Sequence, residues 1–197
     1  MKFSVENTMK EYIQSSEEID YLDSSIKQVA VMLAKDTNNE IDLAHKVYCF
    51  VRDEIKHSID IGNNIITCNA SEVLKLGHGL CLAKAHLLAA ILRCLGIPTG
   101  FCYQGIWLND CIVLHGLNAI YLESLGKWIR VDARGNKPGI NAEFSIAEEK
   151  LAFTIREDIG EFDCPVIFSK PDSNVLNALN KYKSLDVLLR NLPNKLA

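Results

Sequence analysis

The chain has 197 residues, 48% hydrophobic and 23% charged, enough for one globular domain with a sizeable core. Lys and Arg total 21 against 25 Asp and Glu, a net charge of −4, which excludes the basic surface that phosphate neutralisation in a nucleic-acid binder requires. Seven cysteines, an odd number with no Cys-x-x-Cys pair, exclude a disulfide framework and a zinc ribbon.

The first twenty residues turn acidic without a leader-like apolar run, and the most apolar window, 80–95, is broken by Lys84, His86 and Arg93. A cytoplasmic protein without a membrane span is therefore expected, its thiols kept reduced. Helical spacing over 6–36 places Ile19, Leu22, Ile26, Val29, Ala30 and Leu33 on buried faces. A second amphipathic helix over 42–56 buries Leu43, Val47, Phe50, Val51 and Ile55 and leaves His45 and His57 to solvent. Asn69 or Ser71 caps a short helix that Gly77 stops.

The helix over 81–95 is apolar nearly all round and so belongs inside the domain, with Gly96 and Pro98 as its stop signals. The period then changes to two. Strands are expected over 99–104, 111–122 and 127–131, the last two joined by a tight turn at 123–126. A loop follows over 133–141, and an amphipathic helix over 174–192 closes the chain, packed on the domain or available to a second copy. Helices first and an antiparallel sheet second make an α+β fold in one domain over 1–197, with its core at about 40–140.

Cys81 opens the buried helix just after Gly79 and Leu80, where unpaired N–H groups and the helix dipole favour a thiolate and could hold an oxyanion. A thiol nucleophile needs a base, and the base an orienting group. If the hairpin centre lies within 123–126, His115 stands opposite Asp132 or diagonal to it, on one sheet face in either case. The expected bond runs from Nδ1 to the carboxylate, with Nε2 left for the thiol. Singly, Cys81 and His115 read as core residues and Asp132 as a strand-end turn residue; only the pairing with Asp132 promotes His115.

His78, Cys81 and His86 do not make a metal set, since Cys81 and His86 lie about 140° apart on a helix. Neither a metal nor a cofactor is called for. Cys49, Cys94, Cys102 and Cys111 read as small core hydrophobes. Trp107 reads either as a substrate-side aromatic at the cleft rim or as a plug at the end of the core.

The segment GHGLCLAKAHLLAAILRCLGIPTGF, followed by HGLNAIYLESLGKWIRVDARGN, resembles the transglutaminase-like superfamily of cysteine enzymes. The shared pattern is Gly-x-Cys at 79–81, the helix end Leu92-Arg93 with Gly96-Ile97-Pro98, His115 on a strand, and Trp128-x-x-x-Asp132 after the hairpin. The resemblance implies a papain-like fold and a triad of Cys81, His115 and Asp132. It implies a peptide or protein amide substrate attacked through a thioester acyl-enzyme, as in a peptidase, amidase, deamidase or acyltransferase. Leu117 and Ala119 stand where the family often has an aromatic and an acidic residue, which bears on substrate class. The competing reading is an inactive scaffold of the same fold that binds peptides or a protein partner in its cleft.

Overall fold

A computed structural model describes residues 3–197, beginning with β1 (Ser4–Val5) and a 3₁₀ turn at Met9–Ile13. Side-chain caps start the next two helices. Asp23 accepts from the Ser25 N–H ahead of α1 (Ser24–Ala34), and Asn39 from the Asp42 N–H ahead of α2 (Glu40–Cys49). The chain then widens into a π turn at Phe50–Glu54 and goes extended into β2 (Lys56–His57). α3 (Ala70–Leu76) ends at Gly77, whose φ of 71° is the left-handed conformation of a helix stop. β3 (His78–Gly79) pairs in parallel with β2 and leads into α4 (Cys81–Cys94).

Every residue of α4 from 82 to 93 is buried. Leu82, Leu87, Leu88, Ile91 and Leu92 are at most 2% exposed, each worth about 1.5–3 kcal/mol of transfer free energy. The polar residues that broke the apolar window lie inside with them, and each is bonded. Arg93 donates to the carbonyls of Gln14, Thr99 and Ser169. His86 Nδ1 lies 2.8 Å from the Cys68 carbonyl. Lys84 Nζ donates to the carbonyls of Arg52, Ile55 and Arg134. Buried polar groups paired in this way avoid the cost of desolvation without compensation.

α4 packs on an antiparallel sheet formed by β4 (Thr99–Leu108), β5 (Cys111–Leu122), β6 (Lys127–Val131) and β7 (Phe162–Asp163), in the order β6-β5-β4-β7. Asn118 on β5 donates to the carbonyls of Ala85 and Gly100, both at 3.1 Å, and so ties helix to sheet. Behind the sheet, Tyr12, Cys102, Leu117, Ala119 and Ile167 form a smaller cluster with β8 (Val166–Ile167), which pairs with β1. The architecture is the expected α+β layering of a buried helix on an antiparallel sheet. No helix among the described residues is long and apolar enough to cross a membrane.

Four boundaries differ from the sequence reading. β4 runs on to Leu108 because Asn109 takes a φ of 55° and closes a two-residue turn, which leaves Cys111 exposed rather than in the core. The N-terminal stretch over 6–36 is one 3₁₀ turn and α1, with an irregular segment between them. The second helix is regular only to Cys49. The C-terminal stretch is two helices, α5 (Ser173–Lys181) and α6 (Leu185–Leu189), because Asn64 accepts the N–H groups of Leu185 and Asp186 and starts a new helix there.

Candidate active site

Cys81 is the first residue of α4, and the residue before it, Leu80, offers no side-chain cap. The first-turn N–H groups are thus left for whatever sits at the thiol. Gly116 on β5 lets the helix start so close to the sheet, for a Cβ there would lie 2.8 Å from Leu82 Cδ2 and 3.2 Å from Leu82 Cα.

β6 pairs with β5 from Asn118–Val131 to Leu122–Lys127, and the chain leaves the ladder at Asp132. Continued one step, this register sets Asp132 across from Leu117 and diagonal to His115. His115 Nε2 lies 2.7 Å from Asp132 Oδ2. The expected ring orientation is thereby corrected: Nε2, and not Nδ1, meets the carboxylate, which leaves Nδ1 for the thiol. A diagonal pair is separated by roughly 7–8 Å, a span that suits the distal ring nitrogen better than Nδ1, which lies nearer the backbone. Asp132 is fully buried and accepts two further bonds, from the Arg134 N–H at 3.0 Å and the Ala152 N–H at 3.1 Å. Phe153, the next residue, sets its ring edge-on to His115 with centroids 4.9 Å apart, which fixes the imidazole plane.

Burial alone would raise the Cys81 thiol, but the charge and hydrogen bond of His115, with a smaller contribution from His57, hold it well below the usual thiol range. Burial would likewise lower His115, yet the Asp132 carboxylate and the Cys81 thiolate push it up to about 10. Asp132 is lowered against its own burial, chiefly by the His115 charge. The three groups therefore form an ionised set near neutral pH, with a thiolate beside an imidazolium beside a carboxylate. Cys49, Cys68, Cys94, Cys102 and Cys164 behave in the opposite way, their thiols pushed up by burial.

His57 is a residue the sequence reading misplaced. It is not on a solvated helix face, since the chain has left the helix by Ile55, and the residue is 6% exposed. The β2–β3 ladder sets it beside Gly79, two residues before Cys81. It shares with Cys81, His115, Ile106, Val113 and Leu192 the wall of a cavity of about 70 Å³. Nearby, Leu114 N donates to the Pro193 carbonyl at 2.7 Å, so the C-terminal segment forms one side of the cleft. Trp107 does not reach this cavity. Ile106 and Leu108 point into it, and strand alternation turns Trp107 to the other face, where Nε1 donates to the Ile159 carbonyl at 2.8 Å. Beyond Phe153 a wider groove is lined by Arg130, Glu149 and Asp163, whose charges pair with one another.

Two ties hold the segments around the site. Arg134, just after Asp132, forms a two-pronged pair with Asp60 at 2.7 and 3.0 Å, and Lys137 adds a bond of 2.6 Å to the same carboxylate. Lys84, one turn into α4, anchors the carbonyls of Ile55 and Arg134 to the helix that carries Cys81. Among the described residues no cluster of His, Cys, Asp and Glu is arranged to hold a metal ion.

A family model for the transglutaminase-like superfamily matches residues 27–133, more than half the chain. The chain belongs to the transglutaminase-like superfamily. The matched span contains α4, β5 and β6, and with them Cys81, His115 and Asp132. Among solved structures, this transglutaminase-like chain is similar to a candidate cysteine protease from Cytophaga hutchinsonii. The identity is 17% over 66% of this chain and 43% of that one, with a TM-score of 0.54, a likeness of fold. A protein solved as a TGase matches at 18% identity over 85% of this chain and 48% of its own, TM-score 0.48. The periplasmic domain of TgpA from Pseudomonas aeruginosa matches at 17% over 64% and 46%, TM-score 0.45. The chain thus spans less than half the length of these structures. No curated protein matches it.

Proposed function

We propose that this transglutaminase-like chain is a cysteine enzyme that cleaves or exchanges amide bonds in peptides or proteins through a thioester on Cys81. The observation that carries the reading is the ionised set: Cys81 at an uncapped helix start, beside a His115 that Asp132 holds at 2.7 Å. Membership of a superfamily built around cysteine chemistry supports it. Unpaired thiols at all seven cysteines suit a reducing compartment such as the cytoplasm.

The Cys81 thiolate attacks the amide carbonyl, a C–S bond forms, and the carbonyl π electrons move to oxygen. The C–N bond then breaks, and the imidazolium of His115 gives its proton to the departing amine. The thioester is opened by water or by a second amine, whose proton returns to His115 while the C–S bond breaks. Asp132 keeps the ring oriented throughout and stabilises its charge at the start and end of the cycle. Every proton in the cycle is carried by His115, the leaving amine or the incoming nucleophile.

A panel of glutamine-containing peptides, with and without an added primary amine, tests the reading. Ammonia release or amine incorporation by the unaltered chain, lost in Cys81→Ala, is the expected result. Equal behaviour of the two proteins, together with a Cys81 no more reactive toward iodoacetamide at pH 7 than a free thiol, would instead mark a binding scaffold.

A further inference from the structure

We propose that His57 is a catalytic residue, donating a ring N–H to the oxyanion that forms when Cys81 attacks its substrate, alongside the backbone N–H of Cys81. The assignment deepens the proposed function and rests on it.

Position comes first. The ladder bonds Lys56 N–H to the Gly77 carbonyl at 2.9 Å and Ser58 N–H to the Gly79 carbonyl at 3.1 Å. They fix the His57 backbone against β3, the strand that delivers the chain to Cys81, and so place the ring near the helix start. His57 and Cys81 line the same small cavity, and the His57 ring helps to hold the Cys81 thiol below its usual range. An oxyanion at Cys81 would therefore form between the first N–H groups of α4 and this ring.

Elimination comes second. The polar side chains around the cavity are His57, Cys81, His115 and Arg134. Arg134 is occupied by Asp60, and His115 by Asp132. The nearby hydroxyl of Ser58 is taken by His78 Nδ1 at 3.0 Å. His57 alone of the four has a buried ring nitrogen, Nδ1, without a hydrogen-bond partner, and a buried polar atom left unsatisfied in a native site calls for a function.

Division of labour comes third. His115 has a carboxylate and is cationic, whereas no carboxylate is bonded to His57, and burial pushes its pKa below the ordinary value. Two imidazoles whose environments drive them apart are suited to different tasks. The charged one moves the proton. The neutral one has one N–H to donate, keeps its proton through the cycle and places no second cation against the thiolate.

The test compares two reactions of one sulfur in the full chain. Acylation by p-nitrophenyl acetate passes through a tetrahedral oxyanion and is followed by nitrophenolate release and the mass of the thioester. Alkylation by iodoacetamide displaces iodide at carbon and forms no oxyanion. His57→Phe is expected to slow acylation roughly 10²–10³-fold, as the loss of one oxyanion donor does. Its alkylation rate at the thiolate plateau should stay close to that of the unaltered chain. His57→Gln, which keeps a side-chain N–H, should recover a large part of the acylation rate. If His57→Phe does not fold, His57→Met against His57→Gln makes the same comparison. A parallel fall in both reactions, or no fall in either, overturns the assignment. A Cys81 that alkylates but is never acylated in the unaltered chain overturns the acyl-transfer reading itself, and this assignment with it.

Discussion

His115 and Asp132 each carry a charge that burial alone would remove. The imidazolium is worth keeping because the carboxylate lies 2.7 Å away, and the carboxylate because it accepts three hydrogen bonds. The folded pKa of His115, about 10, lies above the roughly 6.5 of a free imidazole. Its contribution to stability is thus complete below about pH 6.5 and is lost as pH rises through about 10. Reactivity should follow the same logic, with a plateau that starts well below the usual thiol range, where the lowered Cys81 ionises, and ends near pH 10. Asp132→Asn is expected to move that alkaline limb toward neutrality and to cut turnover roughly 10²-fold or more. A pH profile of iodoacetamide alkylation and amide turnover checks both, and an unmoved alkaline limb would refute the role given to Asp132. Cys81, His115 and Asp132 were legible in the sequence because each stands at a countable distance from a strong signal: a helix start, or the centre of a hairpin. The ring orientation was not legible, for it depends on which of two registers the hairpin adopts. His57 was hidden because a two-residue ladder, too short to leave a periodic pattern, places it.

At the scale of elements, the site is a contact between the first turn of α4 and a stretch of β5 that β6 does not cover. Gly116 sets the spacing of that contact. In Gly116→Ala the new methyl would meet Leu82 at Cα as well as Cδ2, so backbone has to move, at a cost of about 1–3 kcal/mol. Because the displaced turn holds Cys81, turnover should fall further than stability does. Urea denaturation beside the amide assay reads the two, and a variant that loses stability but no activity would refute the spacing argument. The buried helix and the three strands could be read from period and stop signals, since α4 is apolar on all sides and the strands alternate. The C-terminal break could not, because the group that starts α6 is Asn64, more than a hundred residues away.

At the scale of the molecule, Lys84 joins the pieces that carry the site: the chain before His57, the helix of Cys81 and the loop after Asp132. Lys84→Met leaves buried carbonyls unpaired and is expected to cost on the order of 3 kcal/mol. Burial lowers Lys84 to about 7, so between about pH 7 and 10 the folded chain binds fewer protons here than the unfolded one, and stability from this group rises with pH. The stability gap between the parent and Lys84→Met should accordingly widen from pH 7 to 10 in denaturant titrations, and a constant gap would contradict it. No sequence pattern marks this lysine, because an interior lysine is told from a surface one by the carbonyls that converge on it. The seven free thiols have a consequence at the same scale. Cys81 is acidic only while His115 and His57, which lie on separate elements, surround it. Unfolding returns every thiol to an ordinary value of about 8.5. Folding therefore inverts the ranking of reactivity: below the ordinary thiol range the native chain presents one thiolate and the unfolded chain almost none, whereas above it the unfolded chain presents seven. The protein carries a chemical gauge of its own integrity, and its reading reverses sign with pH.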